Sequence, residues 1–251
     1  AEHGELAIVG DFEPAEAVSI LNRTFDDWKA SQPYARIERP AQTDVKAVKE
    51  RIETPDKENA MYIAASVFPL KDDAPDYPAM AVGNFILGGG SISSRIADRL
   101  RGKGGLSYSA ASVFNAAAID PRATVMIYAI YNPSSLAKVV TGVDEEVAKI
   151  LKDGVTDDEL KKAKDGFLRQ QEMGRTEDGS LARTLSGNLF VGRTMQFQAD
   201  LETAVKGLDV PAVNAALRKH LVPRNLSVVT AGDFKKAEEK KAEEKKAEEK
   251  K

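Results

Sequence analysis

Cysteine is missing from all 251 residues, and histidine occurs only twice, as His3 and His220. Without cysteine there are no disulfides, no thiolate metal ligands and no cysteine nucleophile, and any compartment remains open. A zinc helix needs two histidines one turn apart with a carboxylate beside them, so that both rings converge on one metal. Neither histidine has a second within such a spacing, so no self-contained zinc site is expected and each reads as a surface residue. No Gly-x-Ser-x-Gly occurs, and neither histidine has a recognisable serine partner, which removes the Ser–His hydrolases. Aromatic residues make up only 6% of the chain. Residues 235–251 carry 8 Lys and 6 Glu, leaving a body with 28 basic and 33 acidic residues. A mildly acidic body with scattered arginines is a poor footprint for nucleic acid. No apolar run approaches the ~18 residues needed to span a bilayer.

What is present is enough apolar residue, 42%, to bury a core. The opening Ala-Glu-His-Gly-Glu has neither a basic nor an apolar region of signal-peptide type. The missing initiator Met fits a processed protein or a fragment. Glu5–Val9 reads as a strand, followed by a helix with Pro14 in its first turn and Val18, Leu21 and Phe25 on one face. Pro33 and Pro40 lie in a stretch with little periodicity, the natural linker. Strands are expected over Val45–Thr54 and Ala60–Phe68, joined by the polar turn Pro55–Asn59. A helix over Pro78–Leu87 ends at Gly88-Gly89-Gly90, and Ser91 or Ser93 can cap a second with Ile92, Ile96 and Leu100 as its ridge.

Leu106–Phe114 alternates as a strand, with Leu106, Tyr108, Ala110, Ser112 and Phe114 expected on one face. Arg122–Tyr131 alternates too, and Asp120-Pro121 between them predicts an antiparallel pair. The remainder is mainly helical. Ser134 or Ser135 is placed to cap a helix that Gly154 closes. Thr156 and Glu159 have capping-box spacing at the head of the next. Shorter helices follow around Leu181–Leu189, Ala199–Lys206 and Pro211–His220, then the strand Leu226–Ala231.

Two short segments repeat. Val-Gly-Asp-Phe-Glu-Pro-Ala-Glu at residues 9–16 resembles Ala-Gly-Asp-Phe-Lys-Lys-Ala-Glu at 231–238, a domain's length away. The copies read as matching ends of tandem, related domains. Residues 1–38 are then the closing strand and helix of a preceding domain, 39–44 a linker, and 45–234 a complete domain. Residues 235–251 form a tail of Ala-Glu-Glu-Lys-Lys repeats. A period of five gives no fixed apolar seam, so the tail is expected as a solvated helix rather than a coiled coil.

The run Gly88-Gly89-Gly90-Ser91-Ile92-Ser93 invites comparison with a phosphate loop. It follows a helix instead of a strand, and no Gly-Lys-Ser/Thr closes it, so a tight turn is the better reading. More telling is Ser93-Ser94-Arg95-Ile96-Ala97-Asp98-Arg99-Leu100-Arg101-Gly102-Lys103-Gly104-Gly105-Leu106-Ser107-Tyr108-Ser109. Arg101 falls at a helix C-terminus, where a cation complements the dipole, and Tyr108 opens a strand. A Gly-rich turn between them can bring phenol and guanidinium to the same space, as fixed donors to a peptide carbonyl or carboxylate. Arg95 and Arg99 are expected on a solvated face.

The order helix, Gly-Gly-Gly, Ser-Ser-Arg-(x)4-Leu-Arg-(x)4-Leu-Ser-Tyr-Ser resembles the C-terminal, zinc-free half of the pitrilysin/insulinase zinc metallopeptidases. The Gly-Asp-Phe strand ends and the Thr-Asp-Asp-Glu-Leu helix opening are similar to that family too. The resemblance implies an α+β fold, an antiparallel sheet with helices packed on one face, as in the mitochondrial-processing-peptidase-like metallohydrolases. It implies that 45–234 is the zinc-free domain, which closes over a peptide substrate. Tyr108 would then hydrogen-bond the carbonyl near the scissile bond and Arg101 would hold nearby substrate backbone. The zinc and its inverted H-x-x-E-H helix would belong to an upstream domain or a partner subunit, since this sequence contains neither that motif nor its third ligand.

The expected function is therefore the substrate-binding half of a zinc endopeptidase acting on peptides or unfolded proteins, inactive alone. The competing readings are a non-enzymatic structural or assembly subunit of the same fold and a free-standing peptide-binding module. A cysteine-free protease half suits the bacterial periplasm, and the residues leave the cytoplasm open.

Overall fold

The computed structural model describes residues 4–90, 93–102 and 104–248. Its elements in chain order are α1 (Pro14–Phe25), β1 (Lys49–Glu53), β2 (Ala60–Phe68), α2 (Tyr77–Asn84), the single turn α3 (Arg95–Ala97), β3 (Ser107–Ala116) and β4 (Ala123–Tyr131). There follow α4 (Leu136–Asp153), α5 (Asp157–Thr176), α6 (Asp178–Phe190), α7 (Gln196–Gly207), α8 (Val210–His220), β5 (Ser227–Gly232) and α9 (Phe234–Glu248).

The described chain divides into two compact units. One comprises residues up to 39 with Leu168–Thr203. Within it Arg175 pairs with Glu202, and Asn188 Nδ2 donates to Gln198 Oε1 at 2.9 Å. The other unit comprises Pro40–Phe167 and residues from 204 onward, and it holds the sheet.

The sheet order is β1-β5-β2-β4-β3. Three of the four pairings are antiparallel, as expected, with β2 on β4, β4 on β3 and β2 on β5. The edge pair β1–β5 runs parallel, Lys49 opposite Val228 through Glu53 opposite Gly232. The outermost strand β1 reads Lys-Glu-Arg-Ile-Glu, and such charge on an edge discourages pairing with other chains.

Alternation sets which face is covered. Ala60, Tyr62 and Ala64 on β2 and Ala123, Val125, Ile127, Ala129 and Tyr131 on β4 point into the core. Buried with them are Met80 and Val82 of α2, Val139, Val143, Val147 and Ile150 of α4, and Val213 and Leu217 of α8. Each such side chain contributes about 1.5–3 kcal/mol by leaving water. On the opposite face Met61 and Val67 stay more than 40% exposed. The fold is thus α+β, one sheet face carrying the helices.

Local chemistry explains the helix ends. Thr156 Oγ1 accepts from the Glu159 amide, and Glu159 Oε2 accepts from the Thr156 amide at 2.8 Å, a complete capping box for α5. Gly154, at φ +80°, closes α4. Ser135 holds the cap position of α4, as expected, but its side chain makes no capping bond; Asn132 Oδ1 accepts from the Ser134 amide, capping a short 3-10 turn that leads into α4. Glu5–Val9 is not a strand, because it has no ladder partner among the described residues.

Candidate functional site

The glycine run after α2 is a close-packing device. Residues Phe85–Gly89 form a π turn in which the Gly90 amide reaches back to the Phe85 carbonyl at 2.8 Å. This turn lies directly on β3. A Cβ on Gly88 would fall 2.5 Å from the Ser112 nitrogen, so only glycine permits the approach. Ser112 Oγ donates to Asn84 Oδ1 at 2.7 Å, pinning the end of α2 to the middle of β3. Of the expected caps for the next helix, Ser91 lies outside the described residues. Ser94 takes the cap position, and its side chain makes no capping bond.

Beyond α3, Asp98–Gly102 forms a second π turn that carries Arg99 and Arg101. Leu100 anchors it, fully buried against Gly142 of α4, where a Cβ would approach Leu100 Cδ2 to 2.8 Å. The Leu106 amide donates to the Leu100 carbonyl at 2.8 Å, closing the loop between them. Gly105 supplies the left-handed conformation, φ +56°, that turns the chain into β3. Arg101 is exposed on this loop.

Arg95 and Arg99 depart from their expected solvated positions. Arg95 Nε and Nη2 grip both carboxylate oxygens of Glu159 at 2.7 and 2.8 Å, and Nη2 also donates to the Gly154 carbonyl. The pair is largely buried, with side-chain exposures of 12% and 30%. Burial pushes the Glu159 carboxyl up, but hydrogen bonds from Arg95 and Thr156 outweigh it and hold the group below its usual range. Arg99 Nη2 pairs with Glu145 of α4 at 2.8 Å. Both arginines hold the loop in place.

Tyr108 breaks the expected alternation. Ser107 pairs with Tyr131 and Ser109 with Ile130, so two steps on β3 oppose one on β4 and Tyr108 is the extra residue of a β-bulge. Ser107 takes the inward place and is buried; its Oγ lies 2.6 Å from the Ser109 carbonyl and 2.8 Å from that of Ile130. Tyr108 is thrown outward and is 65% exposed. The expectation that it shares a face with Ala110 and Ser112 is therefore corrected. A bulge re-aims a side chain without moving the sheet, and here it leaves the Tyr108 phenol exposed.

That phenol lines an open pocket of ≈ 620 Å³ at one end of the sheet. The wall comes from the β1–β2 turn (Asp56, Glu58, Asn59), from Asn132 after β4, and from Asp233 and Lys240 around the start of α9, among others. Arg101 is not part of this wall. Asp233, the middle residue of the second Gly-Asp-Phe, organises it. Its Oδ2 accepts from the Asp56 amide at 2.8 Å and its Oδ1 from the Lys236 amide at 3.3 Å, so one buried carboxylate caps α9 and fixes the turn. Asp56 adopts φ +60°, and Lys236 Nζ stands 3.5 Å from its carboxylate. The repeated motif was the signal that could have drawn attention to Asp233. Nothing in the tail's composition marked Lys236 and Lys240 as pocket residues. The pocket offers both charge signs, two side-chain amides and a phenol, which suits the alternating donors and acceptors of a peptide.

The residues do not fit a zinc ion. His220 is not on the surface as expected: its side chain is 9% exposed, stacks on Phe68, and its Nε2 lies 2.8 Å from Asp76 Oδ2. Lys219 Nζ reaches the same oxygen at 2.6 Å. Hydrogen bonds from Lys219 and His220 hold the Asp76 carboxyl below its ordinary value. His3 lies outside the described residues. Among the described residues no three His, Cys, Asp or Glu side chains converge as a metal site would require.

A model of the peptidase M16 inactive domain matches residues 1–167. The chain belongs to the peptidase M16 family. It is similar to the M16 inactive domain from Pseudomonas fluorescens, with 29% identity and a TM-score of 0.73 over 89% of this chain and 52% of that one. A protease from Helicobacter pylori shares the fold at 17% identity, with a TM-score of 0.72 and 89% and 53% coverage. The non-peptidase homolog YmxG of H. pylori is 24% identical over 94% of this chain and 54% of its own. The chain thus spans about half the length of these relatives. The resemblance carried by Leu87–Ser109 is to this family, and the M16 inactive domain is the zinc-free half of the expectation.

Proposed function

We propose that this M16 inactive domain is the substrate-binding half of a zinc metalloendopeptidase acting on peptides or unfolded proteins. The zinc centre would stand on an upstream domain or a partner subunit. The observation that carries the reading is Tyr108, lifted out of its strand by a bulge and left 65% exposed over a mixed-polarity pocket. A tyrosine with only a packing role would sit where Ser107 sits. In the assembled enzyme Tyr108 would donate to the carbonyl at the cleaved bond, and Arg101, on the adjoining exposed loop, would hold substrate backbone. Neither residue requires a metal within this chain. The periplasm is the compartment this reading assigns, and fractionation of the source cell tests it.

A second reading is favoured by one finding, the similarity to a relative described as a non-peptidase homolog. On that reading the chain is a structural or assembly subunit of the same fold. Tyr108→Phe in the chain joined to its zinc-bearing half separates the two. The peptidase reading expects kcat/KM to fall on the order of 10²–10³-fold with the thermal midpoint unchanged. Unchanged cleavage would remove Tyr108 from the mechanism, and a folded assembly that cleaves no peptide would favour the scaffold.

A further inference from the structure

Strict alternation along β3 would turn Tyr108 inward, because Ala110 and Ser112 after it face the core and are buried. Ala110 stands opposite Ala129 and Ser112 opposite Ile127, and the same register carried back without a bulge would set Tyr108 opposite Tyr131. The bulge puts Ser107 in that place instead. Tyr131 is itself fully buried, so the position opposite it suits a small side chain and would be overpacked by a second phenol. Size alone would be met equally well by alanine.

Serine adds a hydroxyl, and it stands where the ladder is broken. A bulge leaves its extra residue unpaired and interrupts the hydrogen bonds beside it. Ser107 Oγ lies 2.6 Å from the Ser109 carbonyl oxygen, on the far side of Tyr108 in the same strand, and 2.8 Å from the Ile130 carbonyl oxygen on β4. Its single proton can be donated to either oxygen, so one buried side chain ties the two strands together across the residue that is thrown out. The other supports act earlier in the chain. Gly105 turns the backbone, and the Leu106 amide bonds the Leu100 carbonyl. Those contacts fix where β3 begins and not where Tyr108 leaves it.

We propose that Ser107 is a positioning residue: its hydroxyl clamps the bulge and so holds the Tyr108 phenol at the pocket. Ser107 is buried to 8% exposure and acts only through its neighbour, which is 65% exposed and lines the pocket. The clamp belongs to the chain alone, while its effect on cleavage rests on the role proposed above for Tyr108.

Backbone amide relaxation of the chain alone reads the clamp directly. Order parameters at Tyr108 and Ser109 are expected at about 0.85 in the unaltered chain and below about 0.6 in Ser107→Ala, with β4 staying rigid in both. Unchanged values at those two residues would overturn the proposal whatever the enzyme does. The kinetic arm uses the chain joined to its zinc-bearing half. There Ser107→Ala should lower kcat about 10-fold or more with KM within about 2-fold, and should cost nothing further in the Tyr108→Phe background. An equal loss in both backgrounds would mean a serine that serves packing alone, and would also overturn the proposal. Full activity of Tyr108→Phe by itself would instead remove Tyr108 from the chemistry, and the clamp would then stand or fall on the order parameters.

Discussion

Tyr131 shows how much a single atom decides at the residue scale. Its ring is fully buried opposite Ser107, beneath the bulge, yet its hydroxyl has no hydrogen-bond partner among the described residues. Burial pushes that phenol up to about 12. A buried hydroxyl without a partner costs about 1–3 kcal/mol. Tyr131→Phe keeps the ring and removes the cost, so denaturant unfolding should show a gain of about 1 kcal/mol; a loss would mean the hydroxyl is bonded in solution. Two carboxylates give the opposite kind of leverage. Glu159 and Asp76 both titrate below their ordinary values in the folded protein, through Arg95 with Thr156 and through Lys219 with His220. A depressed carboxylate pKa stabilises the fold above the unfolded value, near 4, and that contribution is lost as pH falls through the folded value. Stability should therefore be flat on this account above about pH 5 and decline below about pH 4. Glu159→Gln together with Asp76→Asn should flatten the acid limb, and an unchanged limb would place the titration elsewhere.

At the scale of elements, the close approach of the Phe85–Gly89 turn to β3 is the most demanding contact in the sheet-bearing unit. Gly88→Ala would drive a methyl to 2.5 Å from backbone nitrogen, and backbone cannot swing aside as a side-chain tip can. The expected loss is about 1–3 kcal/mol or more in urea unfolding. Gly207→Ala, where nothing lies within 4 Å, is the matched control and should cost nothing measurable. The same elements show what the sequence could and could not reveal. The Thr156/Glu159 capping box and β2 were legible because each rests on a local pattern, a three-residue spacing or strict alternation. The π turns at Phe85–Gly89 and Asp98–Gly102 were not, since an extra residue in a helical turn leaves the apolar spacing nearly unchanged. The bulge at Tyr108 is hidden for a related reason. Alternation counts residues and cannot tell that one of them is unpaired. The parallel pairing of β1 with β5 joins residues about 180 apart and has no local signature. As for the candidate site, Tyr108 and Arg101 were singled out through the spacing they share with a family, and of the two only Tyr108 lines the pocket. Asp56, Asn132 and Lys240 were not singled out, because the fold alone gathers them.

At the scale of the whole molecule, this is an M16 inactive domain about half the length of its relatives, with an open mixed-polarity pocket and no zinc donor set among its described residues. On the proposed reading the chain binds and positions a substrate, and the zinc-bearing half activates water. The most direct measurement is cleavage of an unfolded peptide by this chain alone and by the chain joined to its native upstream segment, each with zinc and with a chelator. The account predicts no cleavage by the chain alone. It predicts chelator-sensitive cleavage by the joined form, lost on the order of 10²-fold or more in Tyr108→Phe or Arg101→Ala. Metal-dependent cleavage by the isolated chain, or a well-folded joined form that cleaves nothing, would contradict it.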